Sequence, residues 1–218
     1  MYRLVIGNKN YSSWSLRAWL VLKVADIPFD ETVIPLDRPE TAAEIAQYSR
    51  AGRVPILIDG DLSVWESLAI VEYLAEQCPE AAIWPDNARA RAMARAVSSE
   101  MHAGFASLRS ALHMNVRRPA RPHPDGIAAA VAADIARVCE IWRAVRAEFG
   151  TGGPFLFGRF SAADAMFAPV AMRFRTYAID VGPAERAYMD SVLALPAFAE
   201  WRSAAAAEPW TIAAEEVD

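Results

Sequence analysis

Residues 54–77, VPILIDGDLSVWESLAIVEYLAEQ, decide the fold of this chain. Residues 54–58 form an apolar strand, residues 59–61 (Asp-Gly-Asp) are typical of a hairpin turn, and residues 62–65 return as a second strand. An amphipathic helix then runs over residues 66–77, with apolar side chains at spacings of three and four. The stretch therefore predicts a β-hairpin that leads directly into a helix.

The residues before this stretch alternate between strand and helix. Residues 2–6 predict a short buried strand, and residues 29–34 predict a second strand. A helical pattern with Leu16, Trp19 and other apolar residues lies between them, and residues 40–48 predict a weaker helix. The order is therefore β-α-β-α-β-β-α, an α/β unit that begins parallel and ends in an antiparallel hairpin.

The composition changes after a linker at residues 78–87. No further strand pattern is found, and Ala, Arg and Glu dominate the rest of the chain. We expect an α/β domain over residues 1–79 and an all-α domain over residues 88–218. Helices are predicted at 88–114, 125–149, 161–178, 184–194 and 197–206.

Bulk properties exclude several classes of function. The chain has 218 residues and a formal net charge of −5, so nucleic acid is not expected as a partner. Cys78 and Cys139 form no motif, and His102, His113 and His123 lack the spacing of metal ligands, so no metal is expected and each histidine is expected to be structural or exposed. No membrane span and no leader is predicted, which indicates a cytoplasmic protein without membrane partners.

Two short motifs lie at the starts of predicted helices, where backbone N–H groups can bind an anionic ligand group. Residues 11–17 (Tyr-Ser-Ser-Trp-Ser-Leu-Arg) lie where the first strand passes into the first helix, so a serine hydroxyl there can donate to an anion beside the helix N-terminus. The alternative is that the serine only caps the helix. Glu66 and Ser67 open the helix after the hairpin and suit the ammonium and carboxylate of an amino acid. The alternative there is an ordinary acidic helix start.

A third motif, Arg53-Val54-Pro55, precedes the third strand. A cis bond before Pro55 turns the backbone N–H and C=O of Val54 outward, towards a ligand. The alternative is a trans proline at a strand edge, which is the more frequent case for an X–Pro bond.

The order and separation of these motifs resemble the cytosolic glutathione S-transferase family over nearly the whole chain. That resemblance implies a thioredoxin-like N-terminal domain, which binds glutathione as cosubstrate, followed by an all-helical domain with the second-substrate pocket. It implies that Val54, beside Pro55, holds the cysteinyl unit through its backbone. It places Glu66 and Ser67 at the γ-glutamyl end, and Arg53 near the glycyl carboxylate.

The first motif refines the class to a serine-type enzyme. Residues 12–17 are similar to the Ser-Ser-Cys-Ser-x-Arg stretch of zeta-class enzymes, in which the catalytic serine lies five residues before the arginine. Counting back from Arg17 gives Ser12, with Ser13 as the alternate. Tyr11 falls one place before the matching position and ranks below Ser12. Trp14 replaces the zeta cysteine, so no chemistry that needs that thiol is expected.

The helical domain carries one signature and several candidate pocket residues. Ser161 and Asp164 match a capping box, which makes Asp164 structural. Arg173 and Arg175 are candidates for the second-substrate pocket, but two residues apart on a helix diverge by about 200°, so at most one of them faces it. Counted against the zeta arginine, Arg175 misses by one position. The region from Glu100 to Asn115, which contains His102, Arg109 and His113 amid apolar residues, is a further candidate.

The resemblance implies a glutathione S-transferase that attacks small electrophiles with a bound thiolate, and that forms a homodimer. A glutathione-dependent isomerase or peroxidase, and a non-catalytic ligand-binding protein on the same fold, are the alternatives. Because the arginine count misses the zeta position, the sequence favours neutral electrophiles slightly over anionic ones.

Overall fold

The computed structural model describes residues 1–217. Its first part follows the predicted order and has four strands and three helices. The elements are β1 (Tyr2–Ile6), α1 (Ser13–Val24), β2 (Phe29–Val33), α2 (Thr41–Ala46), β3 (Ile56–Asp59), β4 (Leu62–Trp65) and α3 (Ser67–Gln77).

The four strands form one mixed sheet in the order β2-β1-β3-β4. β1 and β2 are parallel, and β3 pairs antiparallel with both β1 and β4. Gly60 forms the hairpin turn at φ 61°, a conformation that glycine adopts without a steric cost. The predicted parallel unit with a terminal hairpin is confirmed.

Alternation along β1 places apolar side chains on both faces of the sheet. Leu4 and Ile6 belong to the main core beside α1 and α3. Val5 packs instead with Ile34 and Ile45 in a smaller cluster beside α2. The sheet is therefore covered on both faces, and the ends of its strands and helices meet at one edge.

The second part is helical, as predicted. Its helices are α4 (Ala88–Ala103), α5 (Ala106–Ala111), α6 (Ala129–Phe149), α7 (Ala162–Thr176), α8 (Pro183–Leu193) and α9 (Pro196–Ala207). Within residues 1–217, no helix is both long enough and apolar enough to cross a membrane.

A single helix over residues 88–114 is the one clear error in the helical predictions. The chain leaves the helix at Gly104, and Phe105 takes the left-handed conformation at φ 57°, which is uncommon for a residue with a side chain. Tertiary contacts stabilise this break. The ring of Phe105 is buried, and the carboxylate of Asp134 accepts the N–H of Leu108 at 2.9 Å at the start of α5.

The central element of the helical part is α7, which is buried along almost its whole length. The predicted capping box opens it: the Asp164 carboxylate accepts the N–H of Ser161 at 2.8 Å and the N–H of Leu156 at 3.0 Å. On its other side α7 packs against α1. This packing joins the two parts of the chain and brings α7 close to the start of α1.

Candidate functional site

Ser12 lies at the N-cap position of α1, yet its side chain caps no backbone N–H. Its hydroxyl oxygen lies 2.7 Å from the Ser15 hydroxyl oxygen. The Ser15 oxygen in turn accepts the N–H of Gly7 at 3.1 Å. In this arrangement the Ser12 hydroxyl donates to Ser15. Because a hydroxyl has one rotatable hydrogen and two acceptor positions, Ser15 can instead donate to Ser12, which leaves the Ser12 hydrogen for a third group. The helix cap, which was the alternative role for Ser12, is absent.

Ser13 has a different partner. Its hydroxyl oxygen accepts a hydrogen bond from a terminal nitrogen of Arg173 at 3.2 Å, which links the start of α1 to α7. Tyr11 lines the same space as both serines, but its hydroxyl is already paired. Its hydroxyl donates to the Glu216 carboxylate and accepts from Arg117 at 3.0 Å. Its phenol is thus occupied by structural contacts.

The peptide bond between Val54 and Pro55 is cis, as the third motif suggested. Both residues precede β3, whose first register pair with β4 is Ile56. The backbone of Val54 therefore lies outside the strand ladder. Val54 and Arg53 line the same space as Ser12 and Ser13.

Glu66 and Ser67 lie at the start of α3. Glu66 takes a φ of 71°, which is strained for a residue with a side chain, and its carboxylate lies 3.5 Å from Nε2 of His102. Ser67 is fully buried behind it, and its hydroxyl has no hydrogen-bond partner among residues 1–217. An unpaired buried hydroxyl next to a strained residue is unusual, and both features adjoin the cis proline.

Two adjoining cavities occupy this edge of the molecule. The first cavity is about 360 Å³ and the second cavity is about 560 Å³, sizes typical of small-molecule sites. Both are lined by Trp14, Arg53, Val54 and Arg109. The first adds Pro55, Glu66 and His102, and the second adds Ser12, Ser13, His113, Arg173 and Glu215 along with other residues.

Four arginines give the site a positive field: Arg53, Arg109 and Arg173 line the cavities, and Arg17 stacks on Trp14. Arg17 is fully buried, stacks on the Trp14 ring at 4.2 Å, and donates from Nε to the carbonyl of Met166 at 3.2 Å. Neither of its terminal nitrogens has a partner in the described part of the chain. Burial lowers the pKa of Arg17 well below its usual value, and the charges of Arg173 and Arg109 lower it further.

Arg173 is 4% exposed and also incompletely paired. Its Nε donates to the carbonyl of Leu112 at 2.7 Å and one terminal nitrogen donates to Ser13, but the other terminal nitrogen has no partner within residues 1–217. Burial lowers the pKa of Arg173 to about 10. A buried guanidinium with a free donor beside a cavity is suited to an anion.

The histidines of the site are shifted towards the neutral form. Burial lowers the pKa of His102 most, the charge of Arg17 lowers it further, and the Glu66 carboxylate opposes both. Burial and the charge of Arg173 lower the pKa of His113. In the described residues, no group of three or more His, Cys, Asp or Glu is arranged to hold a metal ion.

The structure brings most of the predicted site residues together, with two departures. Ser12, Ser13, Arg53, Val54, Pro55, Glu66, Arg109 and Arg173 all line the cavities. Ser67 lies behind them, and Arg175 lies on the exposed face of α7 away from both cavities.

His102 lines the first cavity and belongs to the stretch from Glu100 to Asn115 that the sequence offered as a pocket candidate. Two further residues contribute to the site in ways that sequence reasoning missed. The sequence analysis used Arg17 only to count back to Ser12. A charged residue on the apolar side of a helix is rare, and this pattern indicates a residue with a structural or functional partner. Glu215 follows a stretch without pattern, and no local signal marks it.

Two family models match the chain. The glutathione S-transferase N-terminal domain matches residues 11–77, and the glutathione S-transferase C-terminal domain matches residues 128–204, which together exceed half of the chain. A dichloromethane dehalogenase of Methylorubrum extorquens is 41% identical over 61 residues, 27% of this chain and 21% of that protein.

Two further comparisons agree. A probable maleylacetoacetate isomerase of Caenorhabditis elegans is 34% identical over 97 residues, 44% of each chain. The chain thus spans less than half of the length of both curated relatives. A Burkholderia glutathione transferase homolog, solved with bound glutathione, superposes with a TM-score of 0.70 at 21% identity, covering 95% of this chain and 99% of the other. That likeness shows the fold. The two family models show that this chain belongs to the glutathione S-transferase family.

Proposed function

We propose that this protein is a glutathione transferase in which Ser12 stabilises the glutathione thiolate for attack on a small electrophile. One observation carries the proposal: the Ser12 hydroxyl lies at a helix N-terminus, caps nothing, and opens into a cavity shared with the backbone of Val54. Family membership supports the same reading.

The energetics need no metal and no general base. A thiol with a pKa of about 8.5 is only about 3% thiolate at neutral pH, and lowering its pKa to about 6.5 takes about 2.7 kcal/mol. A charge-assisted hydrogen bond from Ser12 supplies about 1.5–3 kcal/mol. The N-terminus of α1 adds about 0.3–1 kcal/mol. The positive field of Arg17, Arg109 and Arg173 acts in the same direction.

The hydroxyl chain at the start of α1 strengthens this role. When the Ser15 hydrogen points to the Ser12 oxygen, the Ser12 hydrogen is directed outward, and the N–H of Gly7 polarises the chain from behind. Ser13 is the alternate donor, because the Arg173 guanidinium holds its oxygen and frees its hydrogen. The two serines differ in their supporting partners, so single variants separate them.

The remaining parts of glutathione find matching groups. We propose that the free backbone of Val54 pairs with the cysteinyl unit and that Arg53 pairs with the glycyl carboxylate. Glu66 then faces the α-ammonium, and the start of α3 at Ser67 faces the γ-glutamyl carboxylate. The unpaired hydroxyl of Ser67 supports this placement, because a ligand carboxylate there supplies the missing partner.

Arg173 decides the proposed charge of the second substrate. The sequence slightly favoured neutral electrophiles. The opposite choice is supported by Arg173, whose buried and incompletely paired guanidinium lines the second cavity, whereas Arg175 is exposed. We therefore propose an electrophile that carries a carboxylate. Glutathione-dependent isomerisation of an unsaturated acid is the second candidate reaction, supported by the same arginine and by the similarity to a probable maleylacetoacetate isomerase.

A turnover panel tests this function. The purified protein is assayed with glutathione against a haloacid, a halonitrobenzene, an unsaturated dicarboxylic acid and a hydroperoxide. Conjugation, isomerisation and peroxide reduction give distinct products, so the reaction classes separate. Glutathione binding by calorimetry with no turnover of any substrate would instead indicate a non-catalytic ligand-binding protein.

Three further features are proposed on the same basis. We propose a cytoplasmic location, domains over residues 1–79 and 88–218, and a homodimer in which the first domain of one subunit packs on the helical domain of the other. Exposed apolar side chains support the dimer: Trp65 on β4 is 49% exposed and Met93 on α4 is 38% exposed. A monomeric mass in light scattering at micromolar concentration would contradict it.

A further inference from the structure

Residues 208–217, the closing segment, are bound closely to the loop before α1. The Glu208 carboxylate accepts the N–H of Lys9 at 2.7 Å and the N–H of Asn10 at 3.1 Å. Arg117 donates to the carbonyls of Glu208 at 2.8 Å and of Trp210 at 2.7 Å. Backbone groups that are paired in this way fix the closing segment against the site.

Glu216 adds a second attachment. Its carboxylate accepts the Tyr11 hydroxyl and the side-chain amide of Asn115, the latter at 2.9 Å. The residue before it, Glu215, belongs to a short 3₁₀ turn and lines the second cavity together with Ser12 and Arg173. The closing segment therefore contributes a carboxyl group to the cavity in which the proposed chemistry occurs.

Glu215 and Arg173 both line this cavity, but their side chains are not in contact with each other as an ion pair within residues 1–217. Within residues 1–217, Arg173 bonds only to Leu112 and Ser13, and one of its terminal nitrogens stays unpaired. No ion pair joins Arg173 to Glu215 in that part of the chain. A space thus lies beside one buried cation and one carboxyl group, and an incoming carboxylate must interact with both.

We propose that Glu215 is a specificity-determining residue, which admits a carboxylate-bearing second substrate to Arg173 when protonated and disfavours it when ionised. The inference rests on the proposed function and concerns how the second cavity selects between charged and neutral substrates. A protonated carboxyl donates a hydrogen bond to the substrate carboxylate, whereas an ionised one repels it and competes for Arg173.

The surroundings of Glu215 bring its ionisation into the pH range in which the enzyme can be assayed. Burial raises the pKa of Glu215 most, the charge of Arg173 opposes this, and the carboxylates of Asp37 and Glu216 add to it; together they bring the pKa to about 7. Glu215 is therefore largely protonated below this value and ionised above it. Preference for an acid substrate should fall as the pH rises.

Other titratable groups around Glu215 do not reproduce this dependence. Arg109 and His113 reach the cavity from α5 and the residues after it, and burial lowers the pKa of His113 below its usual range. Tyr177 lies on the α7 side, and burial raises its pKa. The Tyr11 hydroxyl donates to the Glu216 carboxylate and so is directed to that residue rather than to the substrate.

The test uses two electrophiles that differ in one charge, 4-chloro-3-nitrobenzoate and 4-chloro-3-nitrobenzamide. In both, the glutathione sulfur forms a bond to the chlorine-bearing carbon and chloride leaves. The ratio of kcat/KM for the acid to kcat/KM for the amide cancels the ionisation of the glutathione thiol. We expect this ratio to fall about tenfold between about pH 6 and about pH 8.5 in the natural protein.

Variants assign the effect. Glu215→Gln should keep the ratio high and flat, and Arg173→Met should lower the ratio at every pH. Asp37→Asn is the matched control: it removes another carboxylate from the same cavity, and asparagine tolerates the φ of 60° at that position. It should retain the fall of the ratio with pH, shifted to lower pH because one carboxylate that raises the pKa of Glu215 is lost. A flat ratio in the natural protein, or an unaltered slope in Glu215→Gln, would overturn the proposal.

A binding measurement separates this inference from the proposed function. Calorimetric titration with 3-nitrobenzoate, in buffers of different ionisation enthalpy, should show uptake of a proton on binding near neutral pH. If neither electrophile turns over but this uptake is present and is lost in Glu215→Gln, the transferase function fails and the selectivity stands. Binding without proton uptake would overturn the selectivity whether or not the enzyme is active.

Discussion

Two helices of this protein begin at a serine, and the two serines have opposite surroundings. At α7, the N–H and the hydroxyl of Ser161 both donate to the Asp164 carboxylate, so the helix start is satisfied and buried. At α1, Ser12 caps no backbone group and its hydroxyl opens into a cavity. A closed helix start contributes to stability, whereas an open one keeps its donors for a ligand.

The largest expected effect is a loss of stability when the capping box at the start of α7 is removed. Asp164→Ala removes the acceptor for the N–H groups of Ser161 and Leu156 and should lower the free energy of unfolding by about 2–4 kcal/mol. Turnover per folded molecule should not change, because Asp164 lies away from both cavities. Denaturant unfolding and active-site titration measure the two quantities.

Asp164→Asn is the matched control, since it retains one acceptor and should lose less. Burial raises the pKa of Asp164 to about 6. A raised carboxyl pKa stabilises the fold at low pH, and that contribution is lost as the pH rises from the unfolded value of 3.8 to about 6. The loss caused by Asp164→Asn should therefore shrink between about pH 4 and about pH 6 and change little above that range. A loss that grows over this range would contradict the assigned burial effect.

The next largest effect is a loss of turnover when the uncapped serine at the start of α1 is replaced. Ser12→Ala should reduce turnover about 10–100-fold and raise the pKa of the bound glutathione thiol by about 1–2, because it removes one charge-assisted hydrogen bond. Stability should change by less than about 1 kcal/mol, because no cap is lost. Thiolate absorbance against pH reports the pKa.

Ser13→Ala is the control for this assignment. It keeps the Ser12 hydroxyl and should raise the thiol pKa less. If Ser13→Ala instead has the larger effect, the thiolate donor is Ser13. A thiol pKa that is unaltered in both variants would remove the serine mechanism.

A third helix start, that of α3, should show a smaller effect on binding alone. Ser67→Ala and Glu66→Ala should each weaken glutathione binding about 5–10-fold, the value of one hydrogen bond or exposed ion pair. The chemical step at saturating glutathione should persist, because these groups lie away from the sulfur. Unaltered affinity in calorimetry for both variants would remove the γ-glutamyl assignment.

The smallest expected effect tests the chain behind Ser12. Ser15→Ala should raise the thiol pKa by less than about 1 and slow turnover about 2–5-fold, because Ser12 keeps its hydrogen but loses its orienting partner. A purely structural serine would lower stability and leave the thiol pKa in place. Ser15→Thr, which restores the hydroxyl, should recover the pKa.

Local pattern was enough for much of the site. Ser12, Val54 and Glu66 each follow or precede a strand, and strand ends of one sheet meet at a common edge, so their convergence was predictable. Arg173 and Arg175 were not separable by pattern. Their difference depends on how α7 is rotated against α1, and that rotation is set by packing along both helices.

The sequence by itself determined the order of strands and helices, the hairpin and the capping box. These depend on residue periodicity, on glycine at a left-handed turn, and on hydrogen bonds between residues a few positions apart. Only the tertiary structure decided that Ser12 is uncapped, that the helix breaks at Phe105, that Arg173 is buried beside the cavity, and that Glu215 lines it. Each of these depends on contacts between segments far apart in the chain, and no local pattern encodes such contacts.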